Sequence, residues 1–267
     1  MNRLKDKVAV FVGGGSAVAS VCLRAYMEEG AKVLQVDVSE KYFERTQKER
    51  EYYGPDRIQT FVGACTKYED MEKAMAFAVE KFGKIDIVIN IAGFHGQGHT
   101  EDIIRSQWDL AVDVNVTAVV NSTRAVLPYM KAQKSGHIIN FASLGGRGPR
   151  GVAVSYAATK AANIGLAQSL AVELAPYGIN FVPYIPGSLD TSEFERLPEL
   201  GSLPRKPLPG GFKFGEARPG MAPSIIKDHP LASLYEVAYA LVFLGSDESN
   251  AVTGDGIDVA GGIVMTM

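Results

Sequence analysis

The stretch Val8-Ala-Val-Phe-Val12-Gly13-Gly14-Gly15-Ser16-Ala17-Val18-Ala19-Ser-Val21-Cys22-Leu-Arg-Ala25, followed by Val33-Leu-Gln-Val36-Asp37, decides the fold. Five apolar residues in succession read as a strand covered on both faces. Val18, Val21, Cys22 and Ala25 then recur at helical spacing. A second apolar run ends on a carboxylate, which completes a strand-turn-helix-strand unit. A glycine-rich turn from strand to helix brings backbone N–H groups and the positive helix end against a phosphate. Taken alone, the three glycines are equally an ordinary tight connection. A carboxylate about twenty residues after the turn, at the tip of the second strand, is placed to bond an adenosine ribose and to repel a 2′-phosphate. Val38 follows Asp37, with no Arg or Lys beside it. NAD is therefore expected in preference to NADP.

The same alternation runs outward along the chain. Further strands are expected at Ile58–Val62, Ile85–Ile91, His137–Ala142, Asn180–Ile185 and Gly256–Val259. Met71, Ala74, Met75, Ala78, Val79 and Phe82 share one helix face, and their methionines read as core packing. Ser39 to Tyr53 is charge-rich and reads as an exposed helix ended by Gly54-Pro55. The pattern predicts one α/β domain over 1–267, a doubly wound parallel sheet of the Rossmann type. Ser192 to Pro230 departs from it. This segment holds more than half of the 13 prolines, and helix and central strand are unfavourable there. It leaves the sheet at the ligand-binding end and is expected to cover the substrate as a lid.

Composition narrows the classes. The 267 residues are 46% hydrophobic and 21% charged, which is globular composition, and the net charge of −3 offers nothing to nucleic acid or an anionic membrane. The two cysteines imply no disulfide framework, so a cytoplasmic setting is expected. No charge-free apolar run approaches membrane length.

Ser155-Tyr156-Ala-Ala-Thr-Lys160 opens a helical pattern that puts Tyr156 and Lys160 on one face at i and i+4. An ammonium near a phenol favours its phenolate, which can exchange a proton with an alcohol or ketone oxygen. Ser143, just past an apolar strand, has a hydroxyl that can fix that oxygen. Without context, Tyr–Lys at this spacing is an ordinary surface pair.

Together these residues resemble the short-chain dehydrogenase/reductase family over nearly the whole chain. Tyr156-x-x-x-Lys160 looks like its catalytic pair, and Ser143 stands thirteen residues before the tyrosine, the family's usual spacing. Asn115, in Asp113-Val-Asn115-Val, is similar to the asparagine that kinks a helix and holds a proton-relay water. Asn90-Ile-Ala92-Gly93 resembles the family's Asn-Asn-Ala-Gly. Pro186-Gly187, with Leu189 and Thr191, is similar to the segment at the nicotinamide carboxamide. Val259-Ala-Gly261-Gly262 looks like its last strand and turn. The resemblance implies Asn115, Ser143, Tyr156 and Lys160 as the catalytic set, with Lys160 also on the nicotinamide ribose. It implies NAD against Gly13, Gly15, Ser16, Ala17, Val18, Asp37, Val38, Ala64, Cys65, Asn90, Ala92, Gly93, Tyr156, Lys160, Pro186, Gly187, Leu189 and Thr191. It further implies a small alcohol or ketone substrate and a homo-oligomer, tetramer or dimer. A ketoacyl-thioester reductase and a non-catalytic nucleotide sensor are the alternatives.

The chain departs from the family pattern at several positions. Ala17 replaces a glycine and adds a methyl where backbone approaches pyrophosphate, Ala19 replaces the last glycine, Ala64 replaces an aspartate near adenine, and Ile91 replaces the second asparagine. His95 and His99 read as a solvated loop rather than a metal pair, with His95 also weighed as a substrate contact. Cys65 reads as core.

Overall fold

A computed structural model describes residues 2–96, 98–148, 153–189, 191, 200 and 232–260. The seven apolar runs become β1 (Val8–Val12), β2 (Lys32–Asp37), β3 (Ile58–Val62), β4 (Ile87–Asn90), β5 (Gly136–Phe141), β6 (Ile179–Pro186) and β7 (Ile257–Val259). They pair in parallel in the order β3-β2-β1-β4-β5-β6-β7. The order reverses between β1 and β4, and a crevice opens outside the carboxyl ends of the strands at such a switch point. Apart from Leu200, the expected lid at Ser192–Pro230 lies outside the described residues, as does the Gly261-Gly262 turn.

Helices cover both faces because every residue of β1 and β5 is buried. On one face α1 (Ala17–Glu28) and α7 (Leu234–Gly245) pack together. Tyr26 joins them: its ring meets Phe11 edge to face at 5.2 Å, and its hydroxyl donates to the Leu241 carbonyl at 2.6 Å. Burying a large side chain of this kind contributes about 1.5–3 kcal/mol. On the other face lie α3 (Tyr68–Phe82), α5 (Ala118–Gln133) and α6 (Val154–Leu174). The stripe expected around Met71, Ala74, Met75 and Ala78 is fully buried there.

The segment after β2 differs from the exposed helix expected over Ser39 to Tyr53. Glu40–Thr46 is a 3-10 helix, and only Gln47–Tyr53 is α-helical, as α2. Phe43, Thr46 and Glu49 are buried. The cause is docking onto the glycine turn. Buried Gln35 of β2 donates to the Gly14 carbonyl at 2.8 Å and bonds the Thr46 hydroxyl at 2.7 Å. A buried amide must be satisfied, and Thr46 is the partner that draws this segment in.

Candidate active site

A cavity of about 860 Å³ fills the crevice at the strand ends, near the upper end of the roughly 300–1,000 Å³ of small-molecule sites. At one end stands the glycine turn. Gly13 and Gly14 donate their N–H groups to the Val36 carbonyl at 2.9 and 3.0 Å, and Gly15 donates to Asp37 Oδ2 at 2.9 Å. The run is thereby folded against β2, and its own N–H groups are used. The next three, on Ser16, Ala17 and Val18, have no protein partner among the described residues. They belong to the first turn of α1, where N–H groups lack intrahelical acceptors, and these residues line the cavity. Ser16 caps the helix by accepting from the Ala19 N–H at 3.1 Å. The Ala17 methyl thus adds bulk to the wall but removes no donor.

Gly13 has φ +85°, and a Cβ there would lie 2.5 Å from the Ala92 backbone. Gly13→Ala combines a left-handed conformation with a backbone clash, so a loss of about 2–4 kcal/mol is expected. Denaturant unfolding measures it, and a change below about 0.5 kcal/mol would mean that the turn shifts freely.

At the same end Asp37 is half-buried, with Oδ1 on the Val38 N–H at 2.8 Å. Gly63, Cys65 and Thr66 continue the wall after β3, whereas Ala64 does not line it. The Ala64 N–H is held by Asp70 at 3.0 Å. Burial pushes the Cys65 thiol up to about 11, so it is an inert part of the wall. Tyr42 and Arg45 are among the wall residues that the sequence reading did not name, with Gly63, Thr66 and Leu110. Arg45 Nη1 donates to the Gly15 carbonyl at 2.9 Å. No base adjoins Asp37 in sequence, yet Arg45 shares its cavity wall and also bonds Gly15. Their i, i+3 spacing just after a strand was the available signal.

The other end is built from β4, β5, β6 and α6. Ser143, 9% exposed, caps a 3-10 turn, and its Oγ accepts the Gly145 N–H at 3.1 Å. Its own hydroxyl proton remains available to donate. Tyr156 and Lys160 share one face of α6, and the ammonium lies 5.7 Å from the ring centroid. Lys160, 4% exposed, donates to the Phe141 carbonyl, and burial lowers it to about 8. Ala92, Gly93, Pro186, Gly187 and Leu189 complete the wall. Thr191 is exposed and does not line it. Asn90 also lies behind the wall, where its Oδ1 accepts from Ser122 at 2.6 Å and ties β4 to α5.

Asn115 sits beneath the site at 1% exposure, within a π-helical turn at Asp113–Thr117 between α4 (Arg105–Val112) and α5. Its side chain grips the Phe94 backbone at both ends, accepting from the N–H at 2.8 Å and donating to the carbonyl at 2.9 Å. It also donates to Thr159 on α6 at 2.9 Å. This clamp positions the loop after β4, and His95 there stacks on Tyr156 with ring centroids 4.3 Å apart. His99 is exposed in the same loop.

Comparison with known proteins agrees with this geometry. The family described as short chain dehydrogenase matches residues 7–199. The chain is 32% identical over 266 residues to the 3-oxoacyl-(acyl-carrier-protein) reductase FabG of Thermotoga maritima, covering 98% of this chain and 100% of that one. It is 34% identical over 264 residues to dehydrogenase/reductase SDR family member 6 of Rattus norvegicus, covering 98% and 99%. Among solved structures, a short-chain dehydrogenase/reductase from Burkholderia xenovorans superposes with a TM-score of 0.80 at 27% identity, covering 98% of each chain. An NAD+-bound xylitol dehydrogenase, at 24% identity and TM-score 0.79 over 97% of this chain and 99% of that one, shares the fold. The chain is an oxidoreductase of the short-chain dehydrogenase/reductase family.

Proposed function

We propose that this chain interconverts a secondary alcohol and its ketone with NAD. The observation that carries the reading is the meeting of Ser143, Tyr156 and Lys160 on one wall of a cavity whose far end holds a glycine turn and Asp37. A dinucleotide fits the donors present. The Ser16, Ala17 and Val18 N–H groups would hold its phosphates. Asp37 keeps lone pairs for ribose hydroxyls besides those used by Gly15 and Val38. When bound, the nicotinamide supplies or receives the hydride of the carbinol carbon.

The remaining work falls to the protein. Ser143, already oriented by Gly145, donates its hydroxyl to the substrate oxygen. The Tyr156 hydroxyl gives that oxygen a proton on reduction, leaving a phenolate, and the phenolate takes one on oxidation. The Lys160 ammonium stabilises negative charge developing on the phenol oxygen. Asn115 holds the π-helical turn and the Phe94 backbone in place, which positions the loop that meets Tyr156.

A panel of cyclic alcohols, sugars, steroids and hydroxyacyl thioesters with NAD, followed by nicotinamide absorbance, tests the assignment. Turnover of at least one secondary alcohol is the expected result. Exclusive use of thioesters would favour a ketoacyl-thioester reductase, the reading that the full-length match to the Thermotoga maritima reductase supports. Nucleotide binding with no turnover across the panel would overturn catalysis in favour of a sensor. We also place the protein in the cytoplasm as a homo-oligomer. Exposed Leu110, Val120, Val154 and Val172 on α4, α5 and α6 support a subunit contact. Among the described residues no helix is long and apolar enough to cross a membrane.

A further inference from the structure

We propose that His95 is a positioning residue for Tyr156: its ring holds the phenol where it can exchange a proton with the substrate oxygen. The proposal rests on the role given to Tyr156 above and adds a residue that the set of Asn115, Ser143, Tyr156 and Lys160 does not contain.

Three observations carry it. First, among the described residues no hydrogen bond holds the Tyr156 hydroxyl, and the Tyr156 backbone carbonyl is the atom that Thr159 bonds. The hydroxyl is therefore aimed by the packing of its ring. Second, the groups packed on that ring are His95 and Gly145. The His95 and Tyr156 centroids lie 4.3 Å apart with planes inclined by 40°, at the close end of aromatic pairing distances. A Cβ on Gly145 would lie 3.3 Å from Tyr156 Cε1, 3.4 Å from Cδ1 and 3.5 Å from Ser143 Oγ. Third, the backbone on both sides of His95 is fastened. Asn115 bonds both the N–H and the carbonyl of Phe94, at 2.8 and 2.9 Å. Gly96 is buried, and a Cβ there would lie 2.9 Å from Ser155 Oγ. Gly98 forms a parallel bridge with Ala153.

Ala153 and Ser155 stand just ahead of Tyr156 at the start of α6. The loop is thus stitched to the same end of the helix that carries the phenol, and His95 keeps its place against the ring. Gly145 has no side chain with which to follow a moving ring, so the restraint on that movement falls to the imidazole. His95 is itself exposed and lines the cavity, so it adds little to folding stability. Its contribution is to geometry, and a displacement of about 1 Å at a reacting group can cost on the order of a hundredfold in rate.

Steady-state kinetics on the alcohol that the panel turns over fastest tests this in the wild type, His95→Ala and His95→Phe. NMR of ring-labelled tyrosine is recorded on the same proteins, with the Tyr156 signal identified by its loss in Tyr156→Phe. His95→Ala should lower kcat by about tenfold to a hundredfold, while KM for the alcohol and affinity for NAD stay within about threefold. His95→Phe should recover most of the rate, because a flat ring remains against the phenol. The Tyr156 ring signal should move in His95→Ala, where the neighbouring ring current is lost, whether or not substrate is present. A kcat in His95→Ala within about twofold of the wild type would overturn the proposal. So would a His95→Phe variant as slow as His95→Ala, which would assign the effect to the imidazole nitrogens. A rise in KM alone would make His95 a substrate contact instead, and an unmoved Tyr156 signal would show that the two rings do not meet in solution. Full turnover by Tyr156→Phe would instead overturn the catalytic reading of Tyr156, while the ring signal would still report the contact.

Discussion

Tyr156→Phe is expected to lower turnover by about a hundredfold or more, the usual contribution of a positioned general acid or base. The substitution removes one oxygen and leaves the ring. The stacking of His95 on that ring at 4.3 Å does not require the hydroxyl. The Lys160 contact with the Phe141 carbonyl is likewise independent of it. Fold, cavity shape and nucleotide affinity should therefore be nearly unchanged, and the loss should appear in kcat. Ser143 still polarises the substrate oxygen, so a residual rate is expected. Steady-state kinetics on whichever alcohol the panel identifies, with NAD affinity measured alongside, checks this. Turnover near the wild-type level would remove Tyr156 from the proton path. A matched fall in nucleotide affinity would mean that the phenol serves binding rather than chemistry.

Lys160→Met is expected to abolish most turnover while making the protein more stable at neutral pH. Burial lowers Lys160 from its usual 10.5 to about 8. The folded protein thus holds this proton less tightly than the unfolded chain, and a charged Lys160 costs stability. That cost is fully present below about pH 8 and fades as pH rises from 8 to 10.5, where the unfolded chain keeps a proton that the native state has released. The fall corresponds to about 3 kcal/mol. Leaving the Phe141 carbonyl without its donor returns about 1–3 kcal/mol of that gain. A net stabilisation of about 1–2 kcal/mol at pH 7, or a melting point a few degrees higher, is the expected result. At pH 10 the advantage should vanish or reverse. Turnover should fall by about a hundredfold or more, because the charge beside the phenol is gone, and NAD affinity should fall too if the lysine reaches the ribose. Thermal melts of both proteins at pH 7 and pH 10 decide the stability part. A variant destabilised equally at both would show that Lys160 is held mainly by its contact with Phe141.

Much of the site is legible because its chemistry sits in short, local patterns. Tyr156 and Lys160 are one helical turn apart, and they face the same way wherever that helix packs. Asp37 ends an apolar run, and a residue at a strand tip is bound to reach the open edge of a parallel sheet. Ser143 follows Phe141 and Ala142 off β5 for the same reason. All seven strand runs appear within about two residues; the inner ones are legible because they are covered on both faces, while β3 and β7 lie at the edges and are only partly buried.

What the pattern carries is how deeply each residue is buried along its own element. It determined the doubly wound fold, the cavity end of the sheet and the Ser143, Tyr156 and Lys160 wall. It carries no record of which exposed residue is laid over which opening. Arg45 in a charge-rich segment looks like any solvated cation. Only the docking of Thr46 on buried Gln35 turns it onto Gly15, thirty residues away. Asn115 was legible as a kink, but its two-ended grip on Phe94, twenty-one residues earlier, comes from the π-helical turn meeting the β4 loop. His95 reaches Tyr156 through that same clamp. Each of these contacts joins residues far apart in the chain, and its geometry is set by strand order and crossover. Tertiary structure alone therefore decided the cation on the cavity wall it shares with Asp37 and the ring against Tyr156.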